Sequence, residues 1–371
     1  MARREHTQHN QIDKRKQKHA SMAAGRKETS TDARRRSDHQ RVDRNASPKR
    51  GENSVSGEGR RANERFRTTR ASMEFTNSGT AAHDWGLPVA VTVETEEQLV
   101  EVLKHEAVQL VYLDEACFTE FTDSIRRIHA AGKQAGLRLR RIERDFDAGG
   151  RKEKNSADIL KGLMQEESAP EVLLIRNLDE AMLIETFFCE HPEWTAGIRR
   201  NMDYTVYGYN KEAIRALIEL GAEGFTYPIE LTFHECRKLR KNLRCADIKD
   251  HDRDIGELPF ELMIYGHLPM MVSANCIQRT SARCDHGNRI LQLRDRMGKD
   301  MPVRCYCKYC YNQIFNAEPL VLYDLPDEVR ALQPQCVRYD FSVESAAVVR
   351  QVLSGAVPRN MTRGHFRHGI E

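Results

Sequence analysis

The stretch ELMIYGHLPMMVSANC, residues 261–276, is an apolar run that predicts a buried strand passing into a loop. It opens a segment that places Cys276, Cys284, Cys305, Cys307 and Cys310 close together, while the other five of the ten cysteines are scattered. Packing alone does not require such a concentration. In a chain with no secretory segment it points to a metal or iron–sulfur site ahead of disulfides.

Working back from that run, short apolar stretches alternate with amphipathic ones. PVAVTV (88–93), QLVYLD (109–114), LRLRRI (137–142), VLLIR (172–176), the segment from Ile198 to Val206, and GFTYPIE (224–230) predict strands. Between them TEEQLVEVLKH, with Thr95 as N-cap, a run from Phe118 to about Ala131, LDEAMLIETFF (178–188) and KEAIRALIELG, closed by Gly221, predict helices. Beyond the cysteines CVRYDF (336–341) is a last strand and ESAAVVRQVL a last helix. Eight β/α units of this kind favour a TIM-like (β/α)8 barrel, closed by pairing the strand near Pro88 with the one near Cys336. The domain is expected over 85–371. Its segment 274–335 is too long for an ordinary βα connection and forms a Cys-rich insertion at the strand ends where active sites are built.

The net charge of +3 conceals an asymmetry. Residues 1–84 hold 20 Lys or Arg against 11 Asp or Glu, leaving 38 against 44 for the remainder. The N-terminal stretch is polar, its apolar residues are isolated, and ordering it would cost roughly 1–2 kcal/mol per residue without compensation. A disordered basic tail is therefore expected at 1–84, and runs such as KRKQK and ARRR suit nonspecific contact with nucleic-acid phosphates. No apolar run approaches the roughly 18–20 residues that span a bilayer, and no charged-then-apolar leader is visible, so a cytoplasmic protein without membrane contact is expected.

A Cys-x-x-Cys pair lets two thiolates reach one metal from a single turn, and two more distant thiolates complete the set. The expected ligands are Cys276, Cys284, Cys307 and Cys310, with Cys305 and Cys336 as alternates. They would bind an iron–sulfur cluster or, alternatively, zinc, which the spacing does not separate. His286, in the same loop, is expected to be an exposed histidine. Groups expected at the barrel mouth are Glu261 and Tyr265 on the seventh strand, Asp203 and Tyr204 on the fifth, Asn312, and Arg338 with Asp340 on the last. Glu261, Tyr265, Arg338 and Asp340 are the catalytic candidates, Arg338 being suited to a bidentate grip on a carboxylate or phosphate.

At these residues the sequence resembles the peptidase U32 family of collagenase-like proteins. The family pattern is a Glu, a Gly five residues on, a Cys three beyond that, and a final Cys seven later. Glu261, Gly266 and Cys276 stand at that spacing, while Pro269 replaces the first cysteine and Ala274 the glycine before the last. TVETEEQL (92–99), CKYCYNQIFN (307–316), VRYDFSVES (337–345) and the terminal TRGHFRHGIE look like the C-terminal part of longer clostridial-type members. The resemblance implies a TIM-like barrel and one of two activities. One is collagen degradation; the other is oxygen-independent hydroxylation of RNA bases or a ubiquinone precursor by proteins carrying a four-iron four-sulfur (4Fe–4S) cluster on four cysteines, two of which would fall at Cys276 and Cys284.

The peptidase alternative lacks visible machinery. There is no HExxH, no GxSxG and no papain-like cysteine context, HEC at 234–236 is followed at the i+4 position by Lys238, and Pro269 removes the motif's first thiol. An iron–sulfur protein acting on RNA or a small aromatic substrate is the favoured expectation. A collagenase-like peptidase with a protein substrate, and a noncatalytic scaffold or partner subunit that binds RNA or protein, are the alternatives.

Overall fold

The computed structural model describes residues 66–67, 73–76, 85–144, 154–245, 249–250, 253–254, 257–281, 284 and 286–369. Seven parallel strands come first: β1 (Val89–Val93), β2 (Val108–Asp114), β3 (Gln134–Arg138), β4 (Val172–Ile175), β5 (Arg199–Met202), β6 (Gly224–Thr226) and β7 (Phe260–Gly266). Four antiparallel strands follow, β8 (Pro269–Ser273), β9 (Ile290–Arg294), β10 (Asp300–Tyr306) and β11 (Tyr311–Phe315), then the short β12 (Leu320–Val321) and finally β13 (Cys336–Asp340). The eighth barrel strand is β13: it pairs in parallel with β7 on one side and with β1 on the other, Val337 standing opposite Val89 and Asp340 opposite Thr92. Since β6 also pairs with β7, the sheet closes as the alternation predicts.

Alternation along each strand builds two cores. Val89, Val91, Val93, Val111, Leu113, Leu173, Ile175, Val337 and Tyr339 face outward into the layer between strands and helices. Ala90, Leu110, Tyr112, Val172, Leu174 and Cys336 fill the barrel interior. The cover comprises α1 (Glu96–Val102), α2 (Phe121–Ala130), α3 (Ser156–Gln165), α4 (Leu178–Glu190), α5 (Lys211–Glu219) and α6 (Phe233–Arg244), then, after the short α7 (Ile277–Ser281) and α8 (Pro326–Ala331), α9 (Ala346–Leu353). Their starts are written in short polar side chains: Thr95, Asn155, Asn177, Asn210, Thr232 and Ser345 each accept from a first-turn amide. Thr95 and Gln98 form a reciprocal capping box. Gly221, at φ +84, follows α5 as the expected stop.

Three expectations need adjustment. The strand expected at 137–142 lies at Gln134–Arg138, because Arg140 and Arg141 leave the sheet to bind Glu115 and the carbonyls of Arg176 and Thr205. The insertion starts before 274 and is itself a sheet: β8 pairs with β11, β11 with β10, and β10 with β9. Pro269 begins β8, a position where a missing N–H is tolerated. Most of the tail expected at 1–84 lies outside the described residues. Within it Phe66–Arg67 pairs with β9, and Phe75–Thr76 pairs with Val357–Pro358 while Phe75 packs on the outer core. The tail reading is corrected at those residues, where an isolated Phe gains a partner supplied from far along the chain. Among the described residues no helix is long and apolar enough to cross a membrane.

Candidate active site and cysteine cluster

Six of the barrel strands, β1 to β5 and β13, end on or just before a charged residue, and at the carboxyl end of the barrel these residues meet. Arg138 sits at the hub, donating from Nε to Asp114 Oδ2 at 2.8 Å, from Nη1 to Asp340 Oδ1 at 2.7 Å, and from Nη2 to Glu94. Arg176 donates to Asp114 Oδ2 at 3.2 Å. One layer lower, Arg338 donates from Nη2 to Asp203 Oδ1 at 2.6 Å and from Nη1 to Glu261 Oε2 at 3.0 Å. Glu261 is completed by the hydroxyl of Tyr112 at 2.6 Å and the amide of Asn201 at 3.1 Å. Gly136 makes room for this arrangement, since a Cβ there would collide with the Tyr112 ring.

All these groups are buried, and ionised side chains are retained in such a place only when paired. Burial pushes the Glu94 carboxyl upward, against the pull of Arg304 and Arg138. At Asp203 burial acts the same way, but Arg338 and Arg176 outweigh it and hold that carboxyl below the usual range. Two carboxylates of the mouth are thus pushed in opposite directions, Glu94 towards and Asp203 away from protonation.

The mouth is roofed by the insertion. Period-two alternation on β10 and the turn after it puts Val303, Cys305 and Cys307 on one face, packed with Leu291 and Ile314. Arg304 and Tyr306 occupy the other face. Arg304 Nε lies 2.6 Å from Glu94 Oε2, and the Tyr306 hydroxyl is 3.0 and 3.1 Å from the two Glu94 oxygens. Tyr306 stacks on Tyr311 at 4.8 Å, and the Arg140 guanidinium lies 4.7 Å from the centre of the Tyr309 ring.

On the thiol face, Cys305 and Cys307 are buried, whereas Cys276, Cys284 and Cys310 are half-buried, and none of the ten cysteines is in a disulfide. The Cys305 amide donates to the Arg289 carbonyl at 3.0 Å, the Cys307 amide to Asn288 Oδ1 at 2.9 Å, and the Cys307 thiol to the Gly287 carbonyl at 3.1 Å. Cys310 takes a left-handed backbone, φ +56, in the turn of the β10–β11 hairpin. Burial first, then the neighbouring Cys276 and Cys284, raise the Cys305 thiol to about 11. Burial raises Cys307 to about 12, and it feels Cys305, Cys284, Cys276 and Cys310. The five thiols are therefore electrostatic neighbours and chemically suited to a soft metal. Among the described residues no three His, Cys, Asp or Glu side chains stand close enough to enclose an ion.

Glu261, Arg338 and Asp203 are brought together directly, and Asp340 joins them through Arg138, Asp114 and Arg176 in turn. The arms of Arg338 are spent on Asp203 and Glu261, so the expected grip on a substrate anion is occupied by the protein's own carboxylates. Tyr204 is buried beside Asp203, and Asn312 donates to the Asn275 carbonyl at 2.9 Å, on the insertion. Tyr265 is not in the network: it packs on the outer face with Tyr323, Tyr339 and Phe341. His286 is exposed, as expected. Cys305 belongs to the thiol group, but Cys336 stands inside the barrel against Ala90 and Tyr112.

Glu94, Asp114, Arg138, Arg176, Arg304 and Tyr306 were not singled out by sequence. Their signal was nevertheless present. The apolar runs VTV, YL, GL, LLI and NM are followed directly by Glu94, Asp114, Arg138, Arg176 and Asp203, and the order Arg304-Cys305-Tyr306-Cys307 is a two-faced strand.

No protein-family model and no curated protein sequence matches this chain. Among solved structures, the U32 peptidase Mk0906 is similar over 73% of this chain and 97% of its own, at 10% identity and a TM-score of 0.41. The 3-dehydroquinate dehydratase from Aquifex aeolicus VF5 covers 44% of this chain and 76% of its own at 16% identity and a TM-score of 0.31. The Bacillus cereus spore cortex-lytic enzyme SleL covers 74% and 75% at 9% identity and a TM-score of 0.34. At such TM-scores these likenesses carry no argument about activity. The class that the chain's own strand pairing defines is a TIM-like α/β barrel whose mouth is roofed by a cysteine-bearing antiparallel sheet.

Proposed function

We propose that this chain is a U32-type enzyme that carries a 4Fe–4S cluster on the insertion and acts at the barrel mouth in oxygen-independent hydroxylation of RNA or a small aromatic substrate. The observation that carries the reading is the two-faced run of β10 and the turn after it, with Cys305 and Cys307 on one side and Arg304 and Tyr306 bound to Glu94 on the other. A redox group held by these thiols would sit one strand thickness from the charged mouth. Support also comes from the motif Glu261, Gly266 and Cys276, whose Glu is a buried member of that mouth.

The residues that would hold the cluster are drawn from Cys276, Cys284, Cys305, Cys307 and Cys310, since soft thiolates stabilise iron in a cluster. Bound there, it would supply one-electron chemistry. The chain's own groups do the rest: Arg138, Arg304 and Arg338 fix the carboxylates of the mouth.

The test is anaerobic purification followed by iron, sulfide and zinc analysis and an absorbance spectrum. Stoichiometric iron and sulfide with absorption near roughly 400 nm is the expected result for a thiolate-bound cluster. Stoichiometric zinc without iron, or no metal after anaerobic reconstitution, overturns the reading.

A further inference from the structure

Beyond residue 84 the chain is acidic overall, with 38 Lys or Arg against 44 Asp or Glu, yet α6 carries five cations and one acid in 12 residues. Cys236, Leu239 and Leu243 bury one face of that helix, which leaves Arg237, Lys238, Lys241 and Arg244 exposed on the other. Arg237, Lys241 and Arg244, four and three residues apart, form a stripe about 10 Å long. The single acid, Glu235, is taken up by the cap: its Oε2 accepts from the amide and the hydroxyl of Thr232 at 2.8 and 2.9 Å.

A cleft of about 840 Å³ separates α6 from the loop between β5 and α5, with Lys238, Leu239 and Asn242 on one side and Tyr209, Asn210 and Lys211 on the other. Its second acid, Glu212, stands 3.8 Å from Lys211 and 3.6 Å from Arg215. The loop presents two tyrosines beside the mouth, since Tyr207 closes the single turn Tyr204–Val206 that follows Asp203. Tyr207 is 52% exposed, and its backbone is left-handed at φ +60, a conformation that bulky side chains rarely take. Its amide donates to the Tyr204 carbonyl at 3.2 Å, and its carbonyl accepts from the Tyr209 amide at 2.8 Å. Half-buried Tyr209 lies against it, the ring centres 5.6 Å apart, with its own hydroxyl tied to Glu230. Backbone strain of this kind gathers where a ligand is clamped. Here it holds an aromatic face out in water at the head of a cationic track.

We infer that this surface binds single-stranded nucleic acid: a base stacks on Tyr207, and the phosphates that follow cross the cleft past Lys211 and Lys238 to Lys241 and Arg244. An acidic peptide would engage the cations but has no planar group for the exposed ring. In a duplex the base faces are already stacked on one another, so a single strand fits better. The inference goes beyond the proposed function, since it needs neither a cluster nor a reaction at the mouth. Metal analysis tests the one and binding the other, and either can fail alone.

The probes are short fluorescein-labelled oligouridylate and oligothymidylate, a duplex of matching length and an oligoglutamate peptide. Each is titrated by fluorescence anisotropy into the full chain over a range of salt. Glycine takes φ +60 without penalty, so Tyr207→Gly removes the ring and leaves the loop in place. That variant should weaken the single strands at least fivefold, leave the duplex unchanged, and keep the parental salt dependence. Lys241→Gln combined with Arg244→Gln, both on the exposed face, should lower the slope of log affinity against log salt by about 1.4 on single strands, at roughly 0.7 per lost phosphate contact. Parent and variants share the same N-terminal residues, so their differences report this surface, and the ratio of uridylate to thymidylate affinity tells RNA from DNA. Single-strand affinity unmoved in Tyr207→Gly, an unchanged salt slope in the double variant, or oligoglutamate binding as tight as the single strands would overturn the inference.

Discussion

Arg304 and Glu94 form a buried ion pair between two different sheets, Nε standing 2.6 Å from Oε2. The same guanidinium donates from Nη2 to the Glu94 carbonyl at 2.9 Å and from Nη1 to the Ser342 carbonyl at 3.0 Å. One side chain of the insertion therefore binds the ends of the first and last barrel strands together, and the roof and the barrel hold each other.

Arg304→Met should cost about 2–4 kcal/mol, since it strands two backbone carbonyls and leaves Glu94 with Arg138 as its remaining cation. Hydrogen exchange should rise across Asp300–Phe315 more than in the strands on the far side of the barrel. Uniform exchange changes across both sheets would show that the pair does not tie the roof specifically.

Arg338→Met should be more damaging. It removes the partner of both Asp203 and Glu261 deep in the barrel, and breaking a buried pair from one side costs about 3–5 kcal/mol. Adding Asp203→Asn should return part of that loss, because one stranded charge is then neutralised. Urea denaturation of the single and double variants measures it; strict additivity of the two losses would rule out the coupling.

Glu180 supplies a pH test. Burial first, then Glu115 and Glu143 beside it, push its carboxyl from the usual 4.5 to about 10. A group raised in the fold favours the folded state most below its unfolded value, and that contribution is lost as pH climbs from about 4.5 towards 10. Glu180→Gln keeps an acceptor for the Ser156 hydroxyl, which donates to Glu180 Oε1 at 2.9 Å. The variant should gain stability relative to the parent as pH rises from 5 to 8, by up to about 1.4 kcal/mol per pH unit. A difference in denaturation midpoint that stays flat between pH 5 and pH 8 would refute it.

The barrel was legible because its parallel strands are buried on both faces and its helices announce themselves with Thr95, Asn177, Asn210 and similar caps. The roof was not, since β8 and β9 are short and partly exposed, β11 buries polar Asn312 and Gln313, and the inward face of β10 is marked by a cysteine where an aliphatic residue would announce a core. Met270 and Met271 of β8 are 60% and 58% exposed although they continue the apolar run of β7. Glu261 and Tyr265 would share a face on a regular strand, four residues apart. The irregular register between Met263 and Tyr265 carries Tyr265 to the outer face, and composition gives no sign of such a shift.

Gly266 follows that irregularity at φ +153, and a Cβ there would meet the backbone carbonyl of Asp340 at 2.8 Å. The glycine of the Glu–Gly–Cys pattern is thus required by the close approach of β7 to β13, beside the mouth. Gly266→Ala should destabilise the fold by about 2–4 kcal/mol and displace Asp340 from Arg138. Thermal unfolding checks the first effect. A variant with parental stability would show that β7 relaxes freely there and that the glycine answers some other need.

The thiols give the sharpest separation between spacing and three-dimensional placement. Spacing ranks Cys305 and Cys336 equally as alternates to Cys276, Cys284, Cys307 and Cys310, yet only Cys305 shares the pocket, feeling Cys276 and Cys284 directly. Cys336 is enclosed by Ala90, Leu110 and Tyr112 inside the barrel. If the proposed cluster forms, Cys305→Ser, Cys276→Ser, Cys284→Ser and Cys307→Ser should each lower bound iron severalfold. Cys310→Ser should have the smallest effect of the turn thiols, because Cys305 is the more deeply buried and has the more thiol neighbours. Cys336→Ser and Cys117→Ser should leave iron content unchanged, whatever they do to stability. Metal analysis of the seven variants, prepared anaerobically in parallel, decides the matter. Loss of iron in Cys310→Ser with retention in Cys305→Ser would return the ligand set to the one that spacing alone suggests.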